Sequence, residues 1–266
     1  MPDTKSLRNR IRSVDSTLHL TKAMGLVASS KIRRATEAMN KGREYANSLQ
    51  NVVDLLTVSP ECKKSPYMQV RETGVTRLIA IAGDRGLAGG YNANVFRLAA
   101  TFPGAEMLAI GKRACERYGG DLILSEGFSY QDAKDMADQL CLEFSEGQFD
   151  RLGILCTKYV SMMTQTAQVV WALPLVEPEG KQSHSVLFEP DETRILNAAV
   201  PEYVAGLITA AVRESFACEV AARRMAMDSA GKNAQQMIDD LQLAYNRARQ
   251  GAITQEITEI VAGSGT

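Results

Sequence analysis

Proline is absent from both ends of this chain over long distances. No proline lies between Pro2 and Pro60, and none follows Pro201 up to the last residue, Thr266. A proline inside a helix removes a backbone hydrogen bond and clashes with the preceding turn, so a stretch without proline can form one continuous helix. Each of these stretches could span roughly 80–95 Å, whereas most helices contain only about 11–12 residues. The sequence therefore predicts two unusually long helices at opposite ends of the chain.

Apolar and small residues recur along the first stretch in alternating steps of four and three. A spacing of 3.5 residues keeps one seam facing one partner helix, which is typical of a coiled coil. A helix on a globular surface would instead follow 3.6 residues with a wider apolar stripe. No charged residue interrupts the series, so we predict a coiled-coil helix. Its stops are Leu7, Ile11, Val14, Leu18, Thr21, Gly25, Ala28, Ile32, Ala35, Met39, Gly42, Ala46, Leu49, Val53 and Leu56.

A matching series follows Pro201, and only Arg223 breaks it. Small residues dominate both series, so the two backbones can approach closely. We expect the two helices of one chain to pair antiparallel, although the spacing also permits each helix to pair with its copy in a dimer. Glycine costs about 1 kcal/mol relative to alanine inside a helix, so such a pair would gain from an enclosing partner. The stops are Phe216, Val220, Arg223, Met227, Ala230, Ala234, Met237, Leu241, Ala244, Ala248 and Gly251.

Composition and cysteine spacing exclude several classes of protein. The chain is 45% hydrophobic and 23% charged, which is ordinary for a soluble globular protein. It contains no run of 18 or more apolar residues, and its charged N-terminus lacks the apolar core of a signal peptide. Its five cysteines form no CxxC pair, which argues against a zinc site or a disulfide framework. We expect a cytosolic or peripheral protein with reduced, packed cysteines.

Positive charge is concentrated near the N-terminus. Residues 1–50 contain ten Lys or Arg against four Asp or Glu, a net charge of +6, whereas residues 202–266 contain six against eight, or −2. This pattern is consistent with a solvated helix face or with an acidic partner. Binding to nucleic acid is the weaker interpretation, because the middle of the chain is acidic and carries no recognition motif.

The middle of the chain reads as an α/β body. Apolar runs that end in glycine or in turns predict strands, and amphipathic stretches between them predict helices. Strands that alternate with helices predict a mostly parallel, Rossmann-like sheet. We therefore expect a shaft formed by residues 1–59 and 202–266 and a globular body over 75–190. The predicted strands cover 76–83, 106–111, 150–159 and 166–175, and the predicted helices cover 91–102, 112–120 and 131–146.

The sequence GDRGLAGG (83–90) lies between a predicted strand and a predicted helix, where phosphate-binding loops lie in other proteins. It matches neither GxGxxG nor GxxxxGK[ST], so we interpret it as a tight turn in which the glycines adopt positive φ. The two histidines, His19 and His184, have no evident catalytic or metal-binding companion. We predict no catalytic, cofactor-binding or metal-binding residues, which disfavours an enzyme built on the body.

Three motifs resemble one family. IRSVDSTLHLTKAMGLVASSKIRRA (11–35) is similar to the family pattern I-x-S-V-x-x-T-x-x-I-T-K-A-M, and GDRGLAGGYNANVF (83–96) is similar to S-D-R-G-L-C-G-G-x-N. The sequence from 221 to 266 resembles the C-terminal signature of the same family, the gamma subunits of F-type ATP synthases. The order of the motifs also agrees. Ala88 stands where the family usually has cysteine.

The resemblance implies a rotor. In this family the paired termini insert into a hexamer of alpha and beta subunits, and the body lies near the epsilon subunit and the ring of c subunits. Flow of protons or sodium ions turns the ring, and the turning shaft changes the nucleotide affinities of the beta subunits. The subunit itself is not catalytic and binds no cofactor or nucleic acid. The implied location is peripheral, at the cytoplasmic face of a bacterial plasma membrane; the alternative is a dimeric coiled-coil scaffold for an acidic partner or nucleic acid.

The resemblance also implies partner contacts at individual residues. Met24 falls on the methionine of T-K-A-M, which lies near an acidic segment of a beta subunit, and basic residues around it suit that segment. The sequence FEPD (188–191) resembles a Y-E-P-D motif that faces the c ring, with phenylalanine in place of tyrosine. The implied contacts to beta subunits are Lys22, Met24, Lys31, Arg33, Arg34, Arg249, Gln250, Thr254 and Glu256, and those to the c ring or epsilon are Phe188 and Glu189.

Overall fold

The computed structural model describes residues 4–71, 74–178 and 189–263. Their contacts divide the chain into two compact units, one formed by residues 1–29 with 223–266 and the other by residues 30–222. The boundaries proposed for the shaft and the body, at 59, 75, 190 and 202, therefore differ from the boundaries of these units and stay a prediction. The elements are α1 (Thr4–Thr57), two short 3₁₀ helices (Cys62–Lys64 and Pro66–Met68), β1 (Thr76–Ile81), α2 (Tyr91–Ala99), β2 (Glu106–Ile110), α3 (Lys112–Tyr118), α4 (Tyr130–Ser145), β3 (Arg151–Tyr159), β4 (Gln165–Leu173) and α5 (Glu192–Gly263).

In the first unit, the start of α1 and the end of α5 pair antiparallel. Leu18 packs with Ala234 and Ile238 in one apolar cluster. A side chain added at Gly25 would meet Met227 at 3.7 Å. The later residue of α1, Gly25, faces the earlier residue of α5, Met227, so the two helices run antiparallel. The long helices therefore pair within one chain, as predicted. Every predicted seam position of α1 is buried or half-buried along the whole helix.

The predicted seam of α5 is wrong at two stops, Met237 and Gly251. Met237 is 44% exposed, and its neighbour Ile238, which is 6% exposed and packs with Leu18, takes its place in the seam. The following stops Leu241, Ala244 and Ala248 are half-buried again, so the series is displaced only locally. From Gly251 to Gly263 every residue of α5 is exposed.

The second unit contains a four-stranded sheet with the order β2-β1-β3-β4. β1 pairs parallel with β2 and β3, and β4 closes one edge antiparallel to β3, which confirms the mostly parallel sheet. One face carries Ile79 and Ile81 and packs against α4 and α5 in the main core. The other face carries Leu78 and Ala80 and packs against residues of α2, including Ala99. All seven elements predicted for the body are present, with ends that differ by a few residues.

The second long helix begins earlier than predicted. We expected it to follow Pro201, but α5 begins at Glu192 and runs through that proline. A proline at this position removes a backbone hydrogen bond and clashes with the preceding turn, which costs about 3 kcal/mol of helix stability. Leu196 and Val200 in the same segment are fully buried, and each contributes about 1.5–3 kcal/mol, which offsets that cost. One stretch of α5 is apolar and long enough to cross a membrane, but 61% of it is buried within the structure, as expected for a core helix.

Candidate partner-binding surfaces

The residues predicted to contact partners lie in three places: on α1, at the end of α5, and just before α5. Lys22 is exposed and Met24 is half-buried on the first unit's part of α1. Lys22 lines a groove of about 510 Å³ between α1 and α5. Gly25 and Gly231 also line the groove. Arg224 crosses it, where Nη1 donates to the carbonyl oxygen of Gly25 at 3.4 Å.

Lys31 already has a partner within the chain. Its ammonium forms an ion pair with Glu126, whose other carboxylate oxygen accepts from Nη2 of Arg85 at 3.2 Å. The adjacent Ser125 is held by Asp84, which accepts both its backbone N–H at 2.9 Å and its hydroxyl at 3.0 Å. Sequence reasoning missed this connection because residues 31 and 126 are far apart in the chain. The assignment of Lys31 to a beta subunit stays a prediction, and any such contact competes with the pair to Glu126.

Two arginines beside Lys31 are accessible. Arg33 has an 88% exposed side chain and pairs with Glu37 one helical turn later, at 2.9 Å. Arg34 is exposed and lines a second groove, of about 340 Å³, together with Arg213 and Phe216. Adjacent residues of a helix project about 100° apart, so the two guanidinium groups point in different directions, and each can bind a carboxylate with two parallel hydrogen bonds. This surface therefore suits an acidic segment of a partner.

The end of α5 presents both polar and apolar groups to solvent. The predicted contacts Arg249, Gln250, Thr254 and Glu256 are all exposed. The hydroxyl of Thr254 donates to the carbonyl oxygen of Gln250 at 2.9 Å, so it is satisfied within the helix. Apolar side chains that are 48–65% exposed lie among them; these are Ile253, Ile257, Ile260 and Val261. Exposed apolar groups in such number mark an interaction surface.

Of the two predicted contacts to the c ring or epsilon, the structure describes one. Phe188 lies outside the described residues. Glu189 is exposed. Two residues further along, Asp191 Oδ1 accepts the backbone N–H of Arg194 at 2.8 Å, so it helps to start α5. The described part of this segment leaves the carboxylate of Glu189 accessible to a partner.

Two carboxylates, those of Asp84 and Glu219, lie in or beside the GDRGLAGG loop. Asp84 accepts the backbone N–H groups of Lys112 and Glu126 at 3.1 and 2.9 Å. The side chain of Glu219 is 2% exposed and lies so close to Gly83 that a methyl group there would be 2.7 Å from its Cδ. Phosphate and carboxylate repel each other, so these carboxylates disfavour a phosphate beside the loop. The prediction that the glycines adopt positive φ is confirmed only for Gly89, at 58°, and is wrong for Gly83, Gly86 and Gly90. The other positive-φ residue of the loop is Leu87, at 61°.

The cysteines are unpaired, and most are buried. Burial raises the pKa of Cys62 to about 11 and the pKa of Cys141 and Cys156 to about 12. Thiols of this kind carry little thiolate at neutral pH and react slowly. Cys115 differs because it is half-buried, and its thiol donates to the carbonyl oxygen of Asp121 at 3.3 Å.

Comparison with known proteins identifies the family. A family model described as ATP synthase matches residues 3–266. Proteins named ATP synthase gamma chain are 39% identical in Ruminococcus albus, over 99% of this chain and 98% of the relative, and 36% identical in Nitrosococcus oceani, over 99% of both. The fold is shared with a chain of the rotor of Euglena gracilis mitochondrial ATP synthase, with a TM-score of 0.64 and 17% identity over 94% of this chain and 98% of that one. It is also shared with a chain of the Tetrahymena thermophila central stalk and c-ring structure, with a TM-score of 0.61 and 20% identity over 79% of this chain and 99% of that one. These matches give no support to a coiled-coil scaffold, and the chain belongs to the ATP synthase gamma-chain family.

Proposed function

We propose that this chain is the central-stalk rotor subunit of an F-type ATP synthase and couples ion-driven rotation of a c ring to ATP synthesis or hydrolysis in beta subunits. The observation that carries the proposal is the full-length match to gamma chains at 39% identity. As a gamma chain it is a non-catalytic subunit of that complex. Its work is mechanical, so the relevant features are its stiffness and its surfaces.

The antiparallel helix pair suits a turning shaft. Small residues such as Gly25 and Ala28 are buried in its seam and let the helices approach closely, which keeps the pair thin. Beyond Arg249 the only charged residues of the chain are Glu256 and Glu259. Ion pairs that must be broken at every step would add deep minima to the rotational energy, because a buried charge that loses its partner is costly. A nearly uncharged, apolar end avoids those minima inside a collar of other subunits.

Three groups of residues receive partner assignments under this proposal. Lys22, Met24, Arg33 and Arg34, with Lys31 when its pair to Glu126 opens, would contact an acidic segment of a beta subunit, and Arg249, Gln250, Thr254 and Glu256 would contact a beta-subunit loop. Glu189, with the neighbouring Phe188, would contact the c ring or the epsilon subunit. What supports these assignments is the sequence motifs that contain the residues and, for every described residue except the half-buried Met24 and Lys31, their exposure. The complex is membrane-associated, and we place this chain on the cytoplasmic face of a bacterial plasma membrane, with protons or sodium ions as the coupling ion.

Reconstitution tests the function directly. The purified chain alone should show no ATPase activity, and its addition to alpha and beta subunits should restore rapid hydrolysis. Hydrolysis by the chain alone, or alpha–beta activity that does not depend on it, would contradict the proposal. A c ring and the remaining membrane subunits then allow ion pumping to be measured on the same preparation.

The assignment of Met24 is tested by adding charge. In Met24→Lys a new cation beside the acidic segment should reduce the ions pumped per ATP hydrolysed while leaving assembly intact. Met163→Lys is a matched control, because Met163 is 79% exposed in a turn that carries no partner assignment. The number of ions pumped per ATP should be normal in the control. A normal number in Met24→Lys as well would show that Met24 does not contact the acidic segment of the beta subunit.

A further inference from the structure

The C-terminal end of β3 is held by one residue from each long helix. Tyr159 is the last residue of β3; its backbone N–H donates to Oε1 of Glu214 on α5 at 2.7 Å. Its carbonyl oxygen accepts from Nη2 of Arg43 on α1 at 3.0 Å. Arg43 and Glu214 also bind each other, with Nη2–Oε1 at 2.6 Å and Nε–Oε2 at 3.3 Å. Four charge-assisted hydrogen bonds therefore join α1, α5 and the sheet at one point.

This junction is directional, and its carboxylate is shielded from water. The Glu214 side chain is 13% exposed and the Arg43 side chain is 37% exposed. The guanidinium group is planar and binds the carboxylate through two parallel bonds, which fixes the angle between the two groups as well as their separation. Because both partners also bind the backbone of Tyr159, neither helix can turn against the strand end without stretching at least one of these bonds.

Two further hydrogen bonds join α5 to β3 beside the junction: the Ser215 hydroxyl accepts the backbone N–H of Thr157 at 3.2 Å, and the Cys218 thiol donates to the carbonyl oxygen of Thr157 at 3.4 Å. Neither bond involves α1. The cluster through which α1 packs beside the junction is apolar: Ala35 and Met39 lie against Ala217, with Tyr159 and Phe216 at its edge. Apolar contact is non-directional, so small and flexible side chains can slide past each other at little cost. Within the described residues of this unit, the junction of Arg43, Glu214 and Tyr159 supplies directional bonds from both long helices to one strand end.

We propose that Arg43 and Glu214 form a torque-transmitting joint that fixes the rotational position of both long helices against the sheet. This rests on the proposed rotor function, since only a subunit that carries torque needs such a joint. The two residues are positioning residues: they touch neither nucleotide nor transported ion and act by stiffening the path between the body and the helices. Without the joint, the chain should still fold and support ATP hydrolysis by alpha and beta subunits. The connection between the sheet and the long helices should, however, twist more easily.

The first measurement is local. Hydrogen exchange at the Tyr159 amide should accelerate about tenfold or more in Glu214→Leu, because a buried hydrogen bond to a charged group is lost. Arg43→Met keeps the aliphatic stem but removes the guanidinium, and Arg43→Lys keeps the charge but not the two-bond geometry. Both should accelerate exchange at Tyr159, with Arg43→Lys nearer to wild type.

The second measurement is mechanical and uses the assembled complex. With alpha and beta subunits fixed to a surface and stalled without nucleotide turnover, a rod attached to Cys115 reports the angle of the body. The distribution of angles should be broader in Arg43→Met and Glu214→Leu than in wild type. ATP-driven ion pumping against a high gradient should fall in these variants, while ATP hydrolysis by the complex without its membrane subunits should be unchanged.

Arg97→Met is the matched control, since Arg97 lies on α2 of the same unit and its Nη1 bonds Asn94 within that helix at 3.2 Å. It should change neither the exchange at Tyr159 nor the angle distribution. An unchanged angle distribution in both joint variants would overturn the proposal, even if exchange at Tyr159 were faster, because the residues would then be structural only. Failure of the wild-type chain to restore hydrolysis would instead refute the rotor function itself, so the two failures are distinguishable.

Discussion

Alanine in place of Gly25 and alanine in place of Gly42 are the same change at two stops of one helix seam, and we expect opposite effects on stability. Alanine is favoured over glycine in a helix by about 1 kcal/mol at both positions. At Gly25 a new Cβ would lie 3.7 Å from Cβ of Met227, an ordinary contact, and would bury one more methyl group, worth about 0.8 kcal/mol. We therefore expect Gly25→Ala to raise the free energy of unfolding by about 1–2 kcal/mol.

At Gly42 the added Cβ would contact the backbone of α5. It would lie 3.3 Å from Cα of Ala210 and 3.3 Å from Cδ of Arg213, so α1 and α5 must separate slightly there. Overpacking of this kind costs about 1–3 kcal/mol, which cancels or exceeds the gain in helix propensity. We expect Gly42→Ala to be neutral or destabilising by up to about 2 kcal/mol.

Urea unfolding of the purified chain, followed by circular dichroism, measures both changes. Gly251→Ala serves as the control, since nothing lies within 4 Å of a Cβ at that position and the neighbouring residues are exposed. It should raise helicity slightly and leave the unfolding midpoint unchanged. If Gly42→Ala stabilised the chain as much as Gly25→Ala, the close approach of the helices at Gly42 would not determine stability, and the reasoning would be wrong.

Three further outcomes follow from the second unit. A maleimide should label Cys115 much faster than the four buried cysteines in the native chain, and equal rates counted by mass spectrometry would contradict the burial of those thiols. Ser129→Ala removes the capping box at the start of α4, in which Ser129 Oγ accepts the backbone N–H of the third helical residue at 3.1 Å; it should cost about 1 kcal/mol in a urea titration, whereas Ser129→Asp should cost less. Gly153→Ala places a Cβ 2.8 Å from Cδ2 of Leu78 and 3.0 Å from the ring of Trp171, so it should destabilise by about 1–3 kcal/mol and alter the fluorescence of that single tryptophan; an unchanged spectrum and midpoint would show that the strand core yields easily.

The sequence predicts the elements well because periodicity is a local property. The steps of four and three in α1 select residues that are all buried or half-buried, and each apolar run in the body forms a strand where expected. The errors in α5 have tertiary causes. Pro201 lies inside the helix because the surrounding segment gains more from burial than it loses at the proline. Met237 is exposed because Ile238 packs against Leu18 in its place, and Gly251 belongs to the exposed end of the helix.

The contacts that connect distant residues were beyond sequence reasoning. Lys31 reads as a free cation on an exposed face until Glu126 is placed beside it. Arg43 and Glu214 read as ordinary surface charges, since nothing local indicates that both reach the end of β3. The antiparallel edge strand β4 was predicted as a strand, but its place in the sheet depends on pairing, which no local pattern specifies.

The exposed end of α5 has a consequence for assembly. The segment from Gly251 to Gly263 is the exposed end of the 72-residue helix α5, and such an end frays easily because most helical stability in proteins comes from packing. We expect a partner that encloses this segment to order it further. Part of the binding free energy is spent on ordering this segment, which weakens its hold on any one neighbour. A segment that is ordered by its surroundings but held loosely by each of them can stay helical while it turns.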